Sequence, residues 1–237
     1  MTTQRRDPLQ AAIVAFACVM CVLTAAAGPL GSGTDGPRQS AQPDPFSETA
    51  YAFRVFRDSE GLPQNTVHTI TVDHQGRLWV GTQDGAAYYD GRRWTVVDMP
   101  SRLRSNFVRA ILGASDGSMW FGTRAAGLFR QQDGRWTAIH ELAERSGCLR
   151  VNALIETGGQ AGKPIIWAAT YGGGVGRLEN GSWRIFTTAD GLPSNLVWAL
   201  YAQHHAGRGT TIWAGTENGL ARLLPGASRF TSEPEFP

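Results

Sequence analysis

Two positions recur in each of four similar stretches of this 237-residue chain, and they hold side chains able to do chemistry. One lies just inside an expected first strand and carries His68, Arg109, Asn152 and Trp198. The other follows a Gly/Ala-Thr pair and carries Gln83, Arg124, Tyr171 and Glu217. Both change type from stretch to stretch while their surroundings stay alike. Imidazole, guanidinium, amide and carboxylate groups bond polar partners, and Tyr and Trp rings stack on apolar faces. The eight therefore suit a polar small ligand such as a carbohydrate, and form a candidate binding rim. Simple drift of exposed positions is the competing explanation of the same variation.

Catalysis and metal binding find less support. The five histidines are His68, His74, His140, His204 and His205, and no two have a metal-ligand spacing. No G-x-S-x-G elbow, phosphate loop or close carboxylate pair is present. No catalytic residue, metal site or cofactor is therefore assigned, and a non-enzymatic role is expected. Cys18 and Cys21 lie within an apolar run, where their spacing is coincidental. Cys148 stands alone after them, cannot form an internal disulfide with the remaining chain and reads as a packing residue.

The elements that must position the rim repeat with the same period. Gly76-Arg77-Leu78-Trp79-Val80-Gly81-Thr82 returns as Gly117 to Thr123, Ile166 to Thr170 and Ile212 to Thr216. Their tryptophans, Trp79, Trp120, Trp167 and Trp213, fall 41, 47 and 46 residues apart. A period of ~40–50 residues marks one supersecondary unit, usually of four strands, stacked on copies of itself. In the first unit the turn signals delimit strands at Val67 to Val72, Leu78 to Thr82, Ala86 to Tyr89 and Arg93 to Val97. Asp90-Gly91 is a hairpin signal that Asp133-Gly134 and Asn180-Gly181 repeat.

The fold class is thus all-β: propeller-type repeats, four blades of four antiparallel strands in an incomplete ring. In such a blade the first strand starts where the second ends, so both variable sets line one rim near the inner edge. The four tryptophans are read as structural core between blades. Asn65, Asn106 and Asn195 are expected to bond backbone where each first strand begins. Phe53 to Phe56 matches Trp183 to Phe186 and is expected to form an outer strand. The longer stretches Glu156 to Pro164 and Gln203 to Thr211 read as loop insertions.

Asp58-Ser59-Glu60-Gly61-Leu62-Pro63-Gln64-Asn65-Thr66-Val67, then Asp73 to Gly76, Leu78 to Thr82 and Gly85, resembles the two-component regulator propeller repeat. Asp190 to Val197 resembles the same signature, and the likeness covers about residues 50 to 230. The resemblance implies the exported sensory part of a membrane receptor, in rings that usually have seven blades. It also implies a membrane span and a histidine kinase or other output module beyond them. Here four units are present, and Leu149 stands where the others carry Asn.

Residues 1–27 read as an export signal: Arg5 and Arg6, an apolar run from Ala11 and Ala25-Ala26-Ala27 as a cleavage site. Residues 28–45 hold four Gly and four Pro and read as a flexible linker, leaving 46–237 for the array. The expected location is periplasmic or extracellular, with a membrane anchor if the signal is retained. A net charge of +2 and singly scattered arginines argue against nucleic acid as a partner. The reading that results is a truncated ligand-sensing module of a two-component receptor, without its kinase output. Its expected partners are a carbohydrate or other polar ligand, a membrane kinase or other output module, and further copies of itself through open blade edges. The alternatives are a propeller lyase or hydrolase acting on a lactone or glycan through His68 and Glu217, and a degenerate fragment without a function of its own.

Overall fold

The computed structural model describes residues 54–100, 107–158 and 163–233. The export signal, the linker and Asn106 lie outside the described residues. Four antiparallel sheets follow one another, each in simple up-and-down order. The first holds β1 (Val67–Val72), β2 (Leu78–Thr82), β3 (Gly85–Tyr89) and β4 (Trp94–Val96). The second holds β5 (Val108–Gly113), β6 (Met119–Thr123), β7 (Leu128–Gln132) and β8 (Arg135–Ile139). The third holds β9 (Val151–Gly158), β10 (Pro164–Thr170), β11 (Val175–Glu179) and β12 (Ser182–Phe186). The fourth holds β13 (Val197–His205), β14 (Gly209–Thr216), β15 (Gly219–Leu223) and β16 (Thr231–Ser232). The first strands β1, β5, β9 and β13 contact one another in sequence, so they form the inner edge of a propeller whose ring does not close.

Turn chemistry explains the outer hairpins. Asp133-Gly134 and Asn180-Gly181 take positive φ at both residues, as a two-residue turn matched to strand twist requires. Packing of sheet on sheet explains the rest. Trp79 meets Phe121 of the second sheet, with ring centroids 5.7 Å apart. Trp120 lies in a cluster with Val151, Leu154, Ile166 and Trp183 of the third sheet. Trp167 does the same with Val197, Ile212, Ala214 and Leu223 of the fourth. Among the described residues no sheet follows that of Trp213, which is only half-buried. Each indole N–H donates to a different acceptor: Asp73 Oδ2 (2.7 Å), Ser118 Oγ (2.9 Å), Thr157 Oγ1 (3.0 Å) and Gln203 Oε1 (2.8 Å). An arginine covers each ring, Arg77, Arg130, Arg177 and Arg222 in turn, at 5.3 to 5.9 Å from the centroid.

Several details differ from the sequence reading. Residues 54–57 form no strand. An outer strand needs a third strand beside it, and β3, β7, β11 and β15 each already have an outer partner. The longer hairpins are not loop insertions: they lengthen the ladder, so that β13 and β14 stay paired from Val197 with Thr216 to His205 with Gly209. A short helix, α1 (His140–Ser146), follows β8 and replaces the Gly-Leu-Pro connection, which accounts for the divergence around Leu149. Asn65 and Asn195 do bond backbone, but at a turn seven residues earlier. Their Oδ1 atoms accept from the N–H of Asp58 and of Thr188, both at 2.8 Å.

Candidate functional site

The rim begins with a backbone irregularity repeated four times. Val67 pairs with Thr82 and Thr69 with Gly81, which leaves His68 as an extra residue in β1. The same slip isolates Arg109 between Val108 and Ala110, Asn152 between Val151 and Ala153, and Trp198 between Val197 and Ala199. A β-bulge of this kind bends the strand and re-aims the extra side chain. All four first-set residues therefore sit on bulges. In the second to fourth sheets the valine before the bulge is fully buried. In the second and third it packs toward the preceding sheet: a Cβ added at Gly81 would meet Val108 Cγ1 at 2.8 Å, and one at Gly122 would meet Val151 Cγ1 at 2.7 Å.

The second set is held by threonine hydroxyls. Thr82, Thr123, Thr170 and Thr216 donate across the following loop to the carbonyls of Gly85, Gly127, Gly174 and Gly219, at 2.7 to 3.0 Å. Gln83, Arg124, Tyr171 and Glu217 come directly after these threonines, at the same end of the sheets as the bulges. Backbone bonds tie the second set to the residue two before each bulge: the N–H of Arg124 donates to the Phe107 carbonyl, that of Tyr171 to Arg150 and that of Glu217 to Leu196.

The structure joins most of the eight into one band. On its first half, the His68 ring lies 4.3 Å from Phe107, and the Arg109 and Arg124 guanidiniums stand 5.7 and 5.5 Å from the same ring. On its second half, Arg150 lies 4.0 Å over Tyr171 and 5.4 Å from Trp198, and those two rings meet edge to face at 5.2 Å. Charge links the halves. Burial, and then the like charges of Arg150 and Arg124, hold the Arg109 pKa below its ordinary value. Burial, followed by the charge of Arg109, likewise lowers that of His68.

Three residues behave differently. Asn152 is a strut: its Nδ2 donates to the Val197 carbonyl of the next sheet at 2.8 Å, and its Oδ1 accepts from Arg150 Nε at 3.2 Å. Gln83 and Glu217 are exposed, and among the described residues neither side chain joins the band. His68 and Glu217, the pair a lyase would need, stand on the first and fourth sheets. The Cys148 thiol lies beneath the rim, donating to the Tyr171 carbonyl at 3.1 Å.

Phe107 and Arg150 were missed from the sequence. They occupy a third variable position, two residues before each bulge, filled by Thr66, Phe107, Arg150 and Leu196. The repeat comparison that found the other two sets could have found this one. The rim is an open surface; the deeper clefts between sheets lie toward the other strand ends, as between Trp167, Arg177, Thr210 and Pro225.

The model of the two component regulator propeller family matches residues 61–84 and 102–125, so the chain carries repeats of that family. The matched stretches contain His68, Gln83, Phe107, Arg109 and Arg124. Among solved structures, the chain is similar to the extracellular domain of a hybrid two component system from B. thetaiotaomicron. That match has 22% identity and a TM-score of 0.61 over 76% of this chain and 26% of the other. The extracellular domain of a one component system from the same organism matches at 17% identity and a TM-score of 0.56, over 73% of this chain and 24% of that one. Streptogramin B lyase matches at 16% identity and a TM-score of 0.51, over 74% of this chain and 57% of the lyase. Likeness at such identities establishes the fold, and the chain spans about a quarter of the two sensor domains. No curated protein matches the chain.

Proposed function

We propose that this chain, with its two-component regulator propeller repeats, is an exported, non-catalytic sensor module that binds a polar ligand at the bulged rim. The observation that carries this reading is the fourfold bulge. One backbone irregularity recurs in four sheets and lifts a different functional side chain each time. Drift alone would vary the side chains, but it would not gather five of the eight into one band of rings and guanidiniums. Tyr171 and Trp198 are 38% and 41% exposed, enough for their rings to take a sugar face. The extracellular sensor domains of like fold add support, and a kinase or other output module is the partner that such a domain would serve.

The test is thermal denaturation of the full chain with a panel of soluble oligosaccharides. A ligand that binds the folded state raises the melting temperature by linkage. The reading expects at least one saccharide to do so, and expects the rise to vanish in Trp198→Ala and Tyr171→Ala. It fails if no saccharide shifts the transition, or if the shift survives both substitutions.

A further inference from the structure

We infer that the rim takes a saccharide bearing carboxylate or sulfate groups, its anions gripped by Arg109, Arg124 and Arg150 and its rings resting on Tyr171 and Trp198. This rests on the rim being the ligand surface, and it adds the ligand's charge. The observation behind it is a contrast with the five arginines that are paired with an acid, a pairing that, among the described residues, exposed arginines such as Arg184 and Arg208 also lack. Arg77, Arg130, Arg145, Arg177 and Arg222 each hold a carboxylate, at 2.7 to 2.9 Å. Among the described residues, none of Arg109, Arg124 and Arg150 does.

The contrast sharpens at buried atoms. Among the described residues, Arg109, Arg130 and Arg177 each have a buried Nε with no hydrogen-bond partner, while the buried Nε of Arg222 lies 2.7 Å from a Glu233 oxygen. Arg130 and Arg177 have an acidic neighbour to offset it, whereas Arg109 has two further guanidiniums. Assembling like charges around a half-buried arginine costs energy, and the fold holds that arrangement in place. Phe107 carries Arg109 and Arg124, while Asn152, Tyr171 and Trp198 hold Arg150. An anion would relieve the repulsion and supply the missing acceptors, and the planar guanidinium fork matches carboxylate and sulfate oxygens two at a time.

Shape selects the rest of the ligand. The three arginines come from the second and third sheets, and the Tyr171–Trp198 pair extends the band to the fourth. A lone small anion would reach only part of it. An extended molecule with alternating anionic groups and stackable rings would reach all of it.

The experiment is isothermal titration of the full chain with oligogalacturonate, chondroitin sulfate and heparin oligosaccharides. Neutral malto- and cello-oligosaccharides and a single-stranded oligonucleotide serve as comparison. At least one anionic saccharide is expected to bind, and to weaken with added salt as charged contacts do. Arg150→Gln and Arg109→Gln should each reduce that affinity about tenfold or more, as loss of a central charged contact does. The exposed Arg124→Gln gives a variant that cannot perturb a core, and Arg184→Gln, away from the rim, should change nothing. Binding of neutral saccharides alone would overturn the inference while leaving the ligand-binding rim standing. Equal binding of the oligonucleotide, or indifference to all three rim substitutions, would also overturn it. If no saccharide binds, both readings fall.

Discussion

The tryptophan seam and the bulged rim are both fourfold repeats, yet they hold opposite things constant. At the seam the side chain is fixed and its surroundings vary: one indole in every sheet, with Asp73, Ser118, Thr157 or Gln203 as acceptor. At the rim the backbone is fixed and the side chain varies: one bulge in every sheet, with His68, Arg109, Asn152 or Trp198 upon it. Burial explains the first. A ring between sheets must fill a set volume and satisfy one N–H, and any nearby oxygen serves the N–H. Release from the ladder explains the second, because an extra residue can stay in solvent, as Trp198 does, or turn inward to bond the next sheet, as Asn152 does. The seam sustains the array, and the rim is free to carry recognition.

If that division is right, substitutions at the seam should be the costliest. Trp120→Ala removes a buried ring from the cluster between the second and third sheets. It should cost about 3–5 kcal/mol in chemical denaturation, the usual range for emptying such a site. Trp213→Ala should cost clearly less, since its outer face is uncovered. Equal losses would mean that burial between sheets is not what ranks these positions.

Asp73→Ala should come next, on the order of 3 kcal/mol, since it strips acceptors from the Trp79 indole, the Arg77 side chain and two backbone N–H groups. The effect should depend on pH. Burial opposes ionisation of Asp73, but the hydrogen bonds from Trp79, Arg77 and Gln75 outweigh it, so its pKa lies below the ordinary 3.8. The stability Asp73 supplies is then fully present above that value and is lost as pH falls through the folded pKa. Acid unfolding curves of wild type and variant should converge at low pH. A gap that stays constant would remove the ionised carboxylate from the account.

A smaller pair tests the ends of the array. Gly122→Ala places a Cβ against Val151 Cγ1 at 2.7 Å and should destabilise by about 1–3 kcal/mol through overpacking. Gly215 occupies the same place in the fourth sheet, where an added Cβ would find its nearest atom, Ala199 Cβ, at 3.7 Å. Gly215→Ala should be neutral or slightly stabilising, by about 0.4–1 kcal/mol, through loss of unfolded-state freedom. A loss as large as that of Gly122→Ala, growing with protein concentration, would show that another copy covers the fourth sheet.

Much of the seam was legible in the sequence because packing repeats residue types, and a repeated Trp at a steady interval is visible in one chain. The strand order, the Asp-Gly and Asn-Gly turns and the placing of both variable sets at one rim followed from it. What stayed hidden depended on contacts between units. Asn152 looked like a ligand group but spans to the Val197 carbonyl of the next sheet. Phe107 and Arg150 precede the ladder, and the fold shows Phe107 beside two guanidiniums and Arg150 over the Tyr171 ring. The outer strand expected at Phe53 to Phe56 relied on a match to Trp183 to Phe186, whereas a strand also needs an unpaired neighbour.

The smallest effect expected is also the most direct measure of the rim's charge. The His68 pKa is lowered first by burial and then by Arg109, so the folded state prefers the neutral ring. A depressed histidine favours the fold above its ordinary 6.5, and that contribution is lost on acidification as the unfolded chain takes up the proton. Arg109→Gln removes the second cause and leaves the first. A proton NMR titration should therefore show the His68 pKa rising toward 6.5 without reaching it, while thermal stability changes little. An anion seated among Arg109, Arg124 and Arg150 should move the same resonance in the same direction in the wild-type chain, because it cancels the charge that the substitution deletes. If the substitution leaves the titration where it was, His68 does not feel Arg109, and the two halves of the band are not one electrostatic unit.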